Sequence, residues 1–133
     1  MKRKKNKGGQ GASQVSGKPK ISQSIWEFAG DFIRMGDTLE KRHSLLNAAC
    51  SAWNIACNSP ETRKLHLDHY LREYRRFNLG ADEEELADVR SYTEKLIERK
   101  LAMFPTDLRQ IVGARIFTSG DKDRIEIISA RMQ

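Results

Sequence analysis

The chain has 133 residues, 38% apolar and 32% charged, which suits one domain with one core and leaves too little for two. No apolar run approaches the ~20 residues of a membrane-spanning helix, and no apolar segment with a small-residue cleavage site follows the basic start, so neither a span nor a secretory signal is expected. The net charge of +6 belongs to one end: seven of the 24 Lys and Arg lie in residues 1–20 with no acid, which leaves 17 basic against 18 acidic side chains elsewhere.

Residues 1–21 read as a disordered basic tail, with Lys2, Arg3, Lys4, Lys5 and Lys7, then a Gly-rich stretch, and almost nothing apolar to bury. Ala12 to Lys18 has the spacing of a loosened phosphate-binding loop. Pro19, however, stands where the magnesium-holding Ser or Thr belongs, and no strand precedes the segment, so the loop is excluded.

The first helix is expected from Ser24, where Ser24 and Glu27 have the spacing of a reciprocal cap. Ile25, Phe28, Ala29 and Phe32 make its apolar face, flanked by Trp26 and Ile33. Gly36 is expected to end it in a left-handed conformation. Asp37 opens the next helix, with Glu40 three residues on.

That second helix, running to Asn58, is the element around which the chain is organised. Leu45 to Cys57 carries no charge, and its polar members Asn47, Ser51 and Asn54, continued by Asn58, fall on one narrow stripe. Ala48, Ala52 and Ala56 leave a smooth ridge for a neighbouring helix, and Trp53 is the one large anchor. Such a helix belongs in the middle of a bundle, wetted only along its stripe. Cys50 and Cys57 lie seven residues apart, ~10.5 Å along the axis, too far for a disulfide. Both read as small buried hydrophobes in a reducing compartment, and a cytoplasmic location is expected.

Ser59-Pro60-Glu61 marks the start of a third helix reaching about to Asn78, with Leu67, Tyr70, Leu71, Tyr74 and Phe77 inward and Gly80 closing it. Asp82 to Glu85 caps a fourth helix, whose buried side is Leu86, Val89, Leu96, Ile97 and Leu101. Lys95, Arg99 and Lys100 suit its negative end, and Pro105 stops it. Ile111–Thr118 and Arg124–Met132 are rich in β-branched residues around the polar turn Ser119–Asp123, which predicts a hairpin; a short helix over Thr106–Ala114 before a single strand is the competing reading. The alternation slips at Ile127-Ile128, which points to a bulge or an edge. The fold class expected is mainly α: a four-helix, bundle-like body over 22–133 closed by a C-terminal β-hairpin at about 108–132 (α+β). The core is expected to contain Trp26, Phe28, Phe32, Ala48, Ala52, Trp53, Ala56, Leu71, Tyr74 and Leu96.

Candidate chemistry is sparse. His66 and His69 share a helix face with Glu73, but His66 to Glu73 spans ~10.5 Å, so a metal there needs a third ligand from elsewhere, such as His43 or a cysteine. Glu40-Lys-Arg-His43 is one Glu-x-x-His unit where a di-iron bundle needs two. There is no Gly-x-Ser-x-Gly elbow, and nothing calls for a cofactor. The tail run contacts phosphates through charge and reads no sequence; Arg72, Arg75 and Arg76 on helix three would extend that positive surface, against Asp68 and Glu73 nearby. A lone hairpin is marginal in water, so it is expected to lie on the bundle or to meet a protein partner or a second copy of the chain. The leading expectation is a small non-enzymatic binding or adaptor protein with nonspecific nucleic-acid attachment through its tail. The alternatives are a metal-dependent or unrecognised helical enzyme around His43, His66 and His69, and a structural subunit of a larger assembly.

Overall fold

A computed structural model describes residues 20–130. Four helices, α1 (Ile21–Ile33), α2 (Leu39–Ala56), α3 (Pro60–Phe77) and α4 (Glu83–Met103), precede two antiparallel strands, β1 (Gln110–Ser119) and β2 (Lys122–Ala130). The fold is mainly α with a C-terminal β-hairpin, as the patterning predicts, and none of the described helices is long and apolar enough to cross a membrane. The basic tail reading lies outside the described residues.

Helix α2 is the centre. Ala49, Ala52 and Trp53 are wholly inaccessible to solvent, and Leu46, Cys50, Ile55 and Ala56 are buried with them. Its small residues allow α1 and α4 to pack closely, and Trp53 fills the space between: its ring meets Phe28 of α1 edge-on at 5.6 Å and Phe104, just past α4, at 5.6 Å. The expected ridge is deepest at Ala52 and Ala56, with Ala48 half-buried at its rim. Phe28 and Leu96 are buried as expected, whereas Trp26, Phe32, Leu71 and Tyr74 are half-buried and flank the core.

Several expected boundaries shift, each for a physical reason. Helix α1 begins at Ile21, three residues before Ser24, because Ile21 itself packs on the core and lengthens the apolar face by one turn. Ser24 is therefore an interior residue, fully buried, and its hydroxyl has no hydrogen-bond partner among the described residues; the Ser24–Glu27 cap does not form. Gly36 is not left-handed. It is required by closeness, since a Cβ there would lie 2.7 Å from the Arg42 backbone nitrogen. Thr38, not Asp37, caps α2 by accepting from Lys41 N at 3.1 Å, and Asp37 pairs instead with the Lys41 ammonium at 3.1 Å. Gly80 lies beyond the end of α3, which stops at Phe77 with Asn78 as its cap.

Helix α4 starts as expected, with Asp82 Oδ1 accepting from Glu85 N at 2.8 Å and three glutamates in the first turn. Its buried residues are confined to the second half: Thr93, Leu96, Ile97 and Lys100. Lys100 lies in the last turn of α4, as expected, but is sealed inside, while Leu86, Val89 and Leu101 are half-buried. Helix α3 buries only Leu67, and Phe77, expected inward, is 75% exposed. Beyond Leu67 and before Thr93 the two helices therefore form an arm with little core of its own. Polar contacts tie its antiparallel halves together: Tyr74 Oη donates to Glu85 at 2.8 Å, Arg90 pairs with Asp68 at 3.0 Å, and Arg75 with Glu83 at 3.4 Å.

The hairpin is tighter than the sequence implies. Ser119 and Lys122 are paired, so the turn is only Gly120-Asp121, with Gly120 at φ 70°, the positive value that two-residue hairpin turns require. The bulge lies on β1, at Val112, between the Ile111–Ser129 and Gly113–Ile128 pairs, one step beyond the Ile127-Ile128 slip in β2. Ile111 and Ile116 turn inward on β1, and Ile125 and Ile127 are the half-buried members of β2.

The placement of Trp53 yields one expectation. Trp53→Ala should destabilise the protein by about 3–5 kcal/mol, the usual cost of deleting a buried aromatic side chain. Chemical denaturation measures this, and a loss below about 1 kcal/mol would mean that α2 is not the core helix.

Candidate functional site

Three clusters outside the plain hydrophobic core could carry function: the junction where α4 passes into β1, the histidines, and the α3–α4 arm. At the junction, the Lys100 side chain is wholly inaccessible; its ammonium donates to Asp107 O at 2.6 Å and lies 5.0 Å from the centre of the Trp53 ring. The Asp107 carboxylate, itself buried, accepts from Arg109 N at 3.2 Å, Nε at 2.9 Å and Nη2 at 2.6 Å. Removing the amine from water pushes the Lys100 pKa down, although the Cys57 and Asp107 charges act in the opposite direction.

The same junction is stitched to α2. Trp53 Nε1 donates to Arg109 O at 2.8 Å, and the Cys57 thiol lies 3.7 Å from Asp107 O and 3.8 Å from Arg109 O. Asn54 does the most: its Oδ1 accepts from Ile111 N at 2.8 Å and its Nδ2 donates to Ile111 O at 2.8 Å, the two bonds a neighbouring strand would make. Further along, His43 Nε2 is 3.4 Å from Ala114 O, and Arg42 Nε lies 2.9 Å from Asp123 Oδ2 near the hairpin turn. The polar stripe expected to be wetted is thus partly used to bind backbone. A lysine, a thiol and a carboxylate meet here, but burial raises the Cys57 thiol and all three serve the chain's own turn. These contacts tie the junction to the chain's own backbone.

The sequence places Asn54 on the polar stripe of α2 and Lys100 near the negative end of α4, but it announces neither the Ile111 partner of the one nor the burial of the other. An amide on a narrow polar stripe of an otherwise apolar helix, and a Lys one position from Leu101 on a half-buried helix, were the available signals.

The histidines do not converge. His66 and His69 are exposed on α3, whereas His43 is half-buried on α2 against β1, and no group of three or more His, Cys, Asp or Glu side chains placed to hold a metal occurs among the described residues. Glu40 is exposed on the first turn of α2, apart from any second Glu-x-x-His unit.

Arg72, Arg75 and Arg76 are all exposed on α3, at the arm. Two of the three are already matched by acids, Arg75 with Glu83 at 3.4 Å and Arg76 with Glu73 at 3.7 Å. Asp68, between Arg90 and Lys64, has its carboxyl held below the usual range by those two cations. Positive potential on the arm is correspondingly weak. What distinguishes the arm is apolar: Leu79 in the α3–α4 turn is 90% exposed, beside the exposed Phe77 over which the Arg76 guanidinium lies at 5.7 Å. Leu65 is a further exposed apolar side chain on α3. The sequence signal for this tip was present in Phe77-Asn78-Leu79-Gly80, a turn that needs no large apolar residue and has two. Lys2, Arg3, Lys4, Lys5 and Lys7 lie outside the described residues.

No family model, no curated protein and no solved structure matches this chain.

The buried thiols give a pH expectation. Desolvation pushes the Cys50 thiol up to about 12 from its ordinary 9.0, so above pH 9 the unfolded chain loses a proton that the folded chain keeps. Stability then falls with rising pH, by up to about 1.4 kcal/mol per pH unit for this group. Cys57 acts in the same sense, and Lys100, depressed in the fold, acts oppositely below 10.5. Denaturation of Cys50→Ala and the parent from pH 9 to 11 should show a shallower decline in the variant; parallel curves would contradict the burial of this thiol.

Proposed function

We propose that the protein is a small non-enzymatic adaptor: the helical body presents the α3–α4 arm to a protein partner, and the basic N-terminal segment attaches to nucleic acid without sequence preference. The observation that carries the reading is the tip of the arm, where Phe77 at the end of α3 and Leu79 in the turn after it are exposed, on a helix that buries only Leu67. Exposed large apolar side chains grouped at a projecting end mark interaction sites in soluble proteins. The acids and arginines around the tip supply a polar rim of both signs, the arrangement of a non-obligate interface. Five cations in residues 2–7 match the chemistry of phosphate contact and nothing more specific. The histidine-centred enzyme reading has less support, since His43 is turned to the hairpin and His66 and His69 stand exposed without a third ligand among the described residues.

A photo-crosslinking residue in place of Leu79, compared with one in place of the exposed Glu98, tests the arm in the protein's native cells. Protein adducts should concentrate at 79 and disappear when Phe77→Ser is added, while stability changes by no more than about 0.5 kcal/mol, as for other surface substitutions. Equal yields at both positions would remove the arm from the account. For the basic segment, binding to a generic duplex over a salt series should follow a log–log slope no steeper than about −4.5, the limit for five phosphate contacts, and should vanish without residues 1–19. Undiminished binding by the shortened chain would assign nucleic-acid contact to the body instead.

A further inference from the structure

The two edges of the hairpin are treated differently by the rest of the fold. Ser119 and Lys122 flank a two-residue turn, so Ser119–Lys122, Phe117–Arg124, Arg115–Glu126 and Gly113–Ile128 are the hydrogen-bonded pairs, and the residues between them direct their backbone groups outward. On β1 those outward groups meet α2: Ile111 N and O bind Asn54, and Ala114 O faces His43. On β2 they belong to Asp123, Ile125, Ile127 and Ser129, and no described residue outside the hairpin bonds to them. Beside this open edge α1 leaves a groove of about 210 Å³ lined by Ser22, Gln23, Trp26, Asp123, Arg124 and Ile125. An uncovered edge strand is a template for another strand.

We propose that the strand it takes is β2 of a second copy of this chain, antiparallel about a two-fold axis, in the register that sets Ile125 opposite Ile125. The charges choose that register. It places Arg124 opposite Glu126 of the second copy and Glu126 opposite that copy's Arg124, two opposite-charge pairs on the solvent face. One step in either direction sets Glu126 opposite itself or Arg124 opposite itself. Centring on Ile127 instead leaves both charged residues opposite Ile128 and Ala130. Glu126 already pairs with Arg115 across the hairpin at 2.6 Å, so the signs then alternate across three strands: Arg115, Glu126, and Arg124 of the second copy. On the inner side, Ile127 of the second copy falls opposite Asp123, at the groove beside Trp26. Two marginal two-stranded sheets become one four-stranded sheet whose outer strands are both covered by α2.

Sedimentation of the full chain over a concentration series is the test, with R124E and E126R as variants. The parent dimerises. Each variant alone brings like charges together twice and weakens dimerisation about tenfold or more. An equimolar mixture of the two restores the dimer as a heterodimer, because every facing pair is then opposite in sign; this recovery also shows that both variants are folded. A parent that stays monomeric at all concentrations, variants that dimerise as well as the parent, or a mixture that stays monomeric would each overturn the proposal. So would a dimer formed only after removal of residues 1–19, which would assign the edge to the chain's own N-terminal segment.

Discussion

Among the described residues the hairpin has no third strand, and its hold on the helices runs through the side-chain amide of Asn54. That amide accepts from Ile111 N–H and donates to Ile111 C=O, so one residue of α2 supplies both bonds that a neighbouring strand would give. At about 1 kcal/mol net for each bond, and more if a partly buried backbone group is left unpaired, this clasp is of the size that decides whether a marginal hairpin is ordered. Trp53 adds a bond to Arg109 O one residue before β1, so the core's largest side chain also positions the strand's entry. Core and hairpin are linked through adjacent residues of one helix.

The junction between α4 and β1 carries a cost that the clasp helps to explain. A buried lysine is expensive, and its lowered pKa reports that expense. It is offset locally: Lys100 donates to Asp107 O, the Asp107 carboxylate gathers three bonds from Arg109, and the Trp53 ring lies beside the ammonium. The product is a fixed connection from Phe104 to Arg109 that delivers β1 along α2 in the right register for Asn54. Buried polar networks of this kind specify geometry more than they add stability. The same residue types that would raise interest as an active site are committed here to the chain's own backbone.

Much of this architecture was legible in the sequence, and the parts that were not share a cause. The uncharged run through Trp53, the Pro60 start and the Asp82 cap are local signals, and each locates its element. Ser24 and Gly36 misled because their surroundings are tertiary: Ile21 packs on the core and carries α1 past the apparent cap, and Arg42 comes so near Gly36 that closeness, not handedness, explains the glycine. Phe77 fell at a helical spacing that implied burial, yet no described helix covers it. For Asn54, the stripe it belongs to was visible, but its partner lies 57 residues away and no spacing announces it. The candidate sites followed the same pattern, with the histidine pair visible and the absence of a third ligand among the described residues a matter of three dimensions.

A body organised in this way separates its tasks. The core and junction hold the hairpin, the α3–α4 arm ends in an exposed apolar tip, and no described residue outside the hairpin bonds to the outer edge of β2. All of it depends on β1 being held to α2 by side chains. Amide hydrogen exchange at Ile111 in the native protein tests that dependence most directly. The Ile111 amide is expected to be protected to an extent comparable to the α2 backbone around Trp53, far above the amides of the Gly120-Asp121 turn. Exchange at Ile111 as fast as in that turn would show that the clasp is not made and would contradict the account.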